Sequence, residues 1–224
     1  MTHAALVLFV CYLGIGFGLR TWLQWRRTGD SGFRGISGRP GSPEWLAGVA
    51  FVVALLAGVL GPVAALLGLG SLRWLDAPGL AWAGLGLALV GIAATLATRL
   101  EMGASWRIGV DDAERTDLVT TGAFAVARNP FFTAMAITGA GLALMTPNVV
   151  AVVGFVTLLV ALQLQVRVVE EPYLLRIHGA HYAVYAATTG RFFPGLGRLN
   201  VPARTVGPSA DQAAPAALNS EELP

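Results

Sequence analysis

The stretch VARNPFFTAM, residues 126–135, places Arg128, Asn129 and Pro130 directly before an apolar run. An arginine can bind a carboxylate through two parallel hydrogen bonds, and an asparagine can both donate and accept. A purely structural interpretation also exists, because proline is common in the first turn of a helix and arginine at the edge of a membrane. The stretch is therefore a candidate site for a polar ligand beside a membrane.

A second polar stretch, QVRVVEEPYLLRIHGAHYAVYAATTGRFFPGLG at residues 165–197, follows another apolar run. Its adjacent carboxylates, Glu170 and Glu171, are costly at the edge of hydrocarbon unless water or a partner charge stabilises them. Pro172 removes a backbone donor and predicts a kink or a restart of the helix. Beyond it, the mixed pattern that contains Tyr182 and Tyr185 is typical of a helix lying along the membrane interface.

Other kinds of site have little support. Two of the three histidines, His178 and His181, share one segment without a Cys or His partner group, so we predict no zinc site. An acidic cluster lacks the spacing of a metal-binding loop, and no metal is predicted there either. Its members are Asp111, Asp112, Glu114 and Asp117. The sequence contains no G-x-S-x-G nucleophile motif, no Walker motif and no dinucleotide fingerprint, so the expected chemistry needs neither a histidine base nor a metal.

The composition places these stretches in a membrane protein. Of 224 residues, 55% are hydrophobic and only 12% are charged, and the mean hydropathy is +0.64. Soluble domains carry about 25% charge. We predict an all-α membrane protein with about five transmembrane helices. The predicted spans are Ala4–Leu19, Trp45–Leu69, Gly79–Thr98, Phe131–Met145 and Val149–Val166.

The spans divide the chain into three regions. Residues 1–98 form an N-terminal region of three spans, and residues 99–198 contain both polar stretches and a tight helical hairpin around Pro147. Residues 199–224 are rich in Pro, Ala, Ser and acidic residues, which predicts a disordered tail. The net charge of +2 is too small to indicate nucleic acid as a partner.

The arginines indicate the orientation. All 15 basic residues are arginines, five of which lie in loop 20–44, whereas loop 70–78 contains only Arg73. Positive residues concentrate on the cytoplasmic side. The pattern predicts an outside N-terminus, a cytoplasmic C-terminus and both polar stretches in the cytoplasm, where they can form one site.

The two polar stretches together resemble a known family. LVTTGAFAVARNPFFTAM, residues 118–135, is similar to the segment around the R-H-P-x-Y-x-G motif of the isoprenylcysteine carboxyl methyltransferases and their prokaryotic relatives. EEPYLLRIHGAHYAVYAATTGRFFPGL, residues 170–196, resembles their downstream E-E-x-x-L … G-x-x-Y-x-x-Y … R-F-x-P pattern. Three positions depart from the family: Asn129 replaces histidine, Phe132 replaces tyrosine, and Ala134 replaces glycine.

The resemblance implies a cytosolic pocket for S-adenosylmethionine, formed by the C-terminal half, and a lipid-like acceptor that arrives from the bilayer. The acceptor would be a lipidic or small hydrophobic carboxylate, thiol or amine, and the oligomeric state stays open. The catalytic residues that it implies are Arg128, Glu170 and Arg191. The cofactor-binding residues are Thr121, Gly122, Arg128, Asn129, Pro130, Glu170, Glu171, Tyr182 and Tyr185.

Two alternatives remain. Membrane reductases that act on sterol or enone double bonds have a similar C-terminal region and use NADPH, although Phe132 stands where a tyrosine acid would be useful. A membrane scaffold or small transporter would show polar residues inside the spans or repeated broken helices. The first three spans show neither, apart from scattered glycines and Thr95.

Overall fold

The computed structural model describes residues 1–19, 21–22, 25–26, 36, 38–102 and 118–200. The acidic cluster at 111–117 and residues 201–224 of the predicted tail lie outside these residues. In the described ranges the chain is helical and has no strand. The helices are α1 (Thr2–Leu13), α2 (Pro43–Leu66), α3 (Pro78–Met102), α4 (Ala123–Val126), α5 (Pro130–Met145), α6 (Val149–Leu164) and α7 (Glu171–Thr188). Two π-helical turns, Gly14–Leu19 and Gln165–Glu170, extend α1 and join α6 to α7.

The helix lengths confirm the all-α membrane class. Three helices in the described ranges are long and apolar enough to cross a bilayer, namely Pro43–Leu66, Pro78–Glu101 and the continuous Val149–Thr188. The other two predicted spans are shorter apolar helices, Thr2–Gly16 and Pro130–Met145. At about 1.5 Å per residue, the 40-residue continuous helix is about twice as long as the hydrocarbon core is thick. Its second half can therefore lie beyond the bilayer.

Small residues let the helices approach closely. α3 packs along α5, and α2 packs along α6. A Cβ added at Gly84 would lie 2.7 Å from the Gly141 carbonyl, and one added at Gly61 would lie 3.0 Å from the Ala151 Cβ. Contacts of this kind dominate helix association in membranes, where the hydrophobic effect between helices is absent.

α5 and α6 pack against each other and are joined by the short connection 146–148. Asn148 is buried and caps α6, because its Oδ1 accepts a hydrogen bond from the Ala151 amide at 3.0 Å. Its Nδ2 donates to the Gly61 carbonyl of α2 at 2.8 Å, which ties the turn to the neighbouring helix pair. The hairpin places the start of α5 and the end of α6 at the same end of the bundle.

Pro172 does not break the last helix. It lies in the first turn of α7, directly after the π-helical turn, and the helix passes through it. The sharp kink instead occurs at Gly179, whose φ of 49° is one that other residues rarely adopt. The kink redirects the second half of α7, which carries Tyr182 and Tyr185.

Candidate functional site

The two polar stretches run side by side. Ala127 forms an isolated parallel bridge with Gly190, and the Arg128 amide donates to the Gly190 carbonyl at 2.8 Å. The Asn129 amide and its Nδ2 both donate to the Arg191 carbonyl, each at 3.0 Å. Pro130 follows, is buried and begins α5. Because proline has no N–H, the backbone pairing ends there. The two polar stretches, which the α5–α6 hairpin separates in the sequence, therefore meet at one end of the bundle.

A buried cluster of charges lies at this junction. Arg128 Nη1 donates to Glu171 Oε1 at 2.7 Å. Arg191 holds the same carboxylate through two hydrogen bonds, from Nε to Oε1 at 2.7 Å and from Nη2 to Oε2 at 2.9 Å. The side chains of Arg128, Glu171 and Arg191 are only 1%, 7% and 12% exposed. Glu171 is thus the carboxylate that compensates both arginines.

The guanidinium of Arg128 also donates to acceptors on the surrounding chain. Its Nε donates to the Thr189 carbonyl at 3.1 Å, and its Nη2 donates to the Gly197 carbonyl at 2.7 Å. Its Nη1 also donates to the Tyr182 hydroxyl at 2.9 Å. A guanidinium has five N–H donors. Arg128 is therefore largely committed to holding α7 and the segment after it around the junction.

The two predicted tyrosines have different partners. Tyr182 is buried and contacts Arg128, whereas the Tyr185 hydroxyl donates to the Phe124 carbonyl of α4 at 2.6 Å. The two rings contact each other edge to face, with centroids 6.2 Å apart. Together they attach α7 to Arg128 and to α4.

Of the two glutamates, only Glu171 enters the cluster. Glu170 is half-buried at the end of the π-helical turn, and its polar partner is Gln165, five residues earlier. A π-helical turn contains an extra residue relative to an α-helix and so shifts the faces that follow it. The turn Gln165–Glu170 accordingly sets which glutamate faces the arginines.

Thr121 and Gly122 are exposed and lie outside the cluster. Gly122 precedes α4 with a φ of 59°, and a Cβ there would lie 2.7 Å from Glu101 Oε2. The same oxygen accepts a hydrogen bond from the Ala123 amide at 2.8 Å. Glu101, at the end of α3, is a residue that sequence reasoning did not select. Its only sequence signal is an acidic residue at the end of a span.

The arrangement suits an anionic ligand. Two arginines and one carboxylate leave a surplus of one positive charge in a poorly solvated setting, where electrostatic interactions are stronger than in water. Among the described residues, no group of three or more His, Cys, Asp or Glu could hold a metal ion. The surplus positive charge suits the binding and orientation of an anionic ligand.

A known protein family matches part of the chain. The family model described as phospholipid methyltransferase matches residues 80–181. This family belongs to the same group of integral-membrane methyltransferases as the isoprenylcysteine carboxyl methyltransferases, which confirms the resemblance seen in the motifs. The match contains Arg128, Glu170 and Glu171 and ends one residue before Tyr182. No curated protein and no solved structure shows significant similarity to the chain.

Proposed function

Because residues 80–181 match the phospholipid methyltransferase family, we propose that this membrane methyltransferase takes its methyl group from S-adenosylmethionine and transfers it to an acceptor reached from the bilayer. The observation that carries the proposal is the buried cluster of Arg128, Glu171 and Arg191. It joins the two stretches for which the motif resemblance implies a pocket for the methyl donor. The acceptor in this proposal is a lipidic or small hydrophobic carboxylate, thiol or amine.

The residues fit the methyl donor. S-adenosylmethionine carries an α-carboxylate, an α-amino group and a sulfonium cation. The surplus positive charge of the cluster matches the α-carboxylate, and Arg191 is its more exposed arginine. Glu170, the half-buried neighbour of Glu171 in the chain, offers a carboxylate that can hold the α-amino group of the methyl donor. In this proposal, Arg128 and Glu171 orient Arg191, while Tyr182 and Asn129 fix the surrounding chain.

Methyl transfer requires no metal and no histidine. The lone pair of the acceptor attacks the methyl carbon opposite sulfur, the new bond to carbon forms as the carbon–sulfur bond breaks, and sulfur keeps the electron pair. An ionised carboxylate or thiolate needs no base, and an amine loses its proton after it is methylated. The acceleration then comes mainly from proximity and alignment of the two reactants, for which a rigid site is suited.

The proposed location follows the arginine pattern. The N-terminus is outside, and the site and the C-terminus are in the cytoplasm. The proposed division of labour assigns residues 1–98 to a membrane anchor and residues 99–198 to catalysis. The start of α5, the end of α6 and the end of α3 lie at one end of the bundle, as this division needs.

Thermal stability of the purified protein with S-adenosylhomocysteine tests the proposal. Specific binding stabilises the native state as the ligand concentration exceeds the dissociation constant, by roughly 2.7 kcal/mol at a hundredfold excess. NADPH serves as the comparison ligand, because stabilisation by NADPH alone would favour the reductase alternative. Arg191→Lys should weaken binding of S-adenosylhomocysteine, since lysine retains the charge but not the two-pronged geometry. If neither nucleotide stabilises the wild type, the proposed function is wrong.

A further inference from the structure

A short turn that follows α7, residues 190–197, presents apolar side chains on its surface. Phe193 and Leu196 are 56% and 67% exposed, and Pro194 between them is exposed as well. Single exposed apolar residues are common on proteins. A cluster of them within four residues of one turn is more typical of a surface that meets another apolar phase.

The turn has a fixed shape. The Arg191 amide donates to the Leu196 carbonyl at 2.7 Å, and the Leu196 amide donates to the Phe193 carbonyl at 3.2 Å. Gly197 has a φ of 74°, which other residues rarely adopt. A Cβ at Gly190 would overlap the Phe193 carbonyl, so the chain folds back tightly over this glycine. The backbone therefore holds Phe193 and Leu196 in their exposed positions.

The backbone acceptors of the turn are largely satisfied from within the protein. Hydrogen bonds from backbone amides, from the Thr133 hydroxyl and from the Arg128 guanidinium reach the carbonyls of Gly190, Arg191, Phe192, Phe193, Leu196 and Gly197. A backbone carbonyl without a partner costs several kcal/mol in hydrocarbon, so a chain that meets lipid must satisfy its polar groups internally. Exposed apolar side chains on a satisfied backbone suit a lipid environment better than water.

The hydrogen bond from Thr133 Oγ1 to the Phe192 carbonyl, 2.8 Å long, gives the depth of the turn. Thr133 belongs to the first turn of α5, which is one of the apolar helices of the bundle. Spacings of four and three residues place Thr133, Ile137 and Ala140 on one face of α5, and all three are half-buried. The turn therefore lies against a less buried face of α5, level with the end of this helix.

A positive charge follows the apolar positions. Arg198 comes directly after the turn and is exposed. Arginines commonly flank segments that enter a membrane, because the guanidinium can stay among the headgroups while neighbouring apolar side chains reach the acyl chains. The order of an apolar turn followed by an arginine thus matches the boundary between headgroups and hydrocarbon.

We propose that residues 192–196 insert into the interfacial region of the bilayer leaflet on the side of the candidate site. Phe193 and Leu196 reach the acyl chains, and Arg198 lies among the headgroups. This inference goes beyond the proposed methyltransferase function and does not depend on it. Insertion ties the buried charge cluster to the membrane surface, because Arg191 begins the turn and Arg128 Nη2 donates to the Gly197 carbonyl at its end.

The test measures the surroundings of a fluorophore attached to the turn. The full-length chain carries Cys11→Ser, which removes its one cysteine, together with Phe193→Cys or Leu196→Cys. Each chain is labelled with the environment-sensitive fluorophore NBD and reconstituted in phosphatidylcholine nanodiscs. Val156→Cys, in the middle of α6 and 53% exposed, is a control of matched exposure within a span. The NBD adduct of free cysteine in buffer is the reference for water.

Two quenchers report depth and access to water. A phosphatidylcholine with a nitroxide near the top of its acyl chain should quench both turn labels more than one with a nitroxide deep in the chain, and Val156 should show the reverse order. Iodide should quench the turn labels several-fold less than the free adduct. Iodide quenching equal to that of the free adduct, or stronger quenching by the deep nitroxide than by the shallow one, would overturn the proposal. The measurement needs no methyl donor, so its result is separate from that of the S-adenosylhomocysteine test.

Discussion

The adjacent glutamates offer a matched pair of substitutions, Glu171→Gln and Glu170→Gln. Glu171 accepts three hydrogen bonds of 2.7–2.9 Å from two guanidinium groups, all within side chains at most 12% exposed. Hydrogen bonds to charged groups each contribute about 1.5–3 kcal/mol. Glutamine keeps one acceptor oxygen but turns N–H groups toward a guanidinium and leaves both arginines without a compensating charge.

We therefore expect Glu171→Gln to lower the free energy of unfolding by about 3–5 kcal/mol, the range found when one partner of a buried ion pair is removed. Glu170→Gln should cost less than about 1 kcal/mol, because Glu170 is half-buried and its polar partner is Gln165. Binding of S-adenosylhomocysteine should weaken in both variants if the amino-group role of Glu170 is right.

Chemical denaturation in a fixed detergent measures both free energies on chains that differ at one position each. The neighbouring variant controls for the loss of a carboxylate as such. Equal losses in the two variants, or a loss below about 1 kcal/mol for Glu171→Gln, would refute the assignment of Glu171 as the central partner of the arginines.

Three further substitutions test how the site is held, each by the same denaturation measurement. Gly122→Ala should cost about 1–3 kcal/mol, because φ is 59° there and Glu101 occupies the space of a Cβ; the cost should shrink in a Glu101→Ala background if crowding contributes. Tyr185→Phe should cost about 1 kcal/mol through loss of its 2.6 Å hydrogen bond, and a neutral result would show that α4 is not attached this way. Asn148→Ala should cost roughly 2 kcal/mol, and Asn148→Ser less, since serine can keep the cap but loses the donor to Gly61.

The features that could be predicted from sequence are those encoded by composition and local order. The apolar runs and the Thr146–Asn148 interruption predicted the spans and the hairpin, because hydrocarbon length and turn residues act locally. The family pattern also selected Arg128 and Arg191, and the structure brings both to one carboxylate.

Features that depend on helix phase or on distant contacts could not be predicted. The sequence offers Glu170 and Glu171 equally, and the choice depends on a π-helical turn that hydrophobic periodicity does not reveal. At Pro172 the sequence predicts a kink or a restart: the α-helix does restart at Glu171, directly after the π-helical turn, whereas the kink lies at Gly179. Glu101 contacts Ala123 across 22 residues of chain, and no local sequence pattern predicts this contact.

The π-helical turn Gln165–Glu170 affects which insertions and deletions this helix can accept. A single helix serves two unrelated demands, because its first part must match the bilayer while Glu171 must point at Arg128 and Arg191. One additional residue in the turn rotates everything downstream by roughly 100° without altering the membrane-facing surface upstream. Insertions or deletions at Gln165–Glu170 would therefore rotate the part of the helix that carries Glu171, while the part that crosses the membrane would keep its orientation. We expect a chain with one residue added or removed at this turn still to enter the membrane, but to lose the contacts between Glu171 and the two arginines.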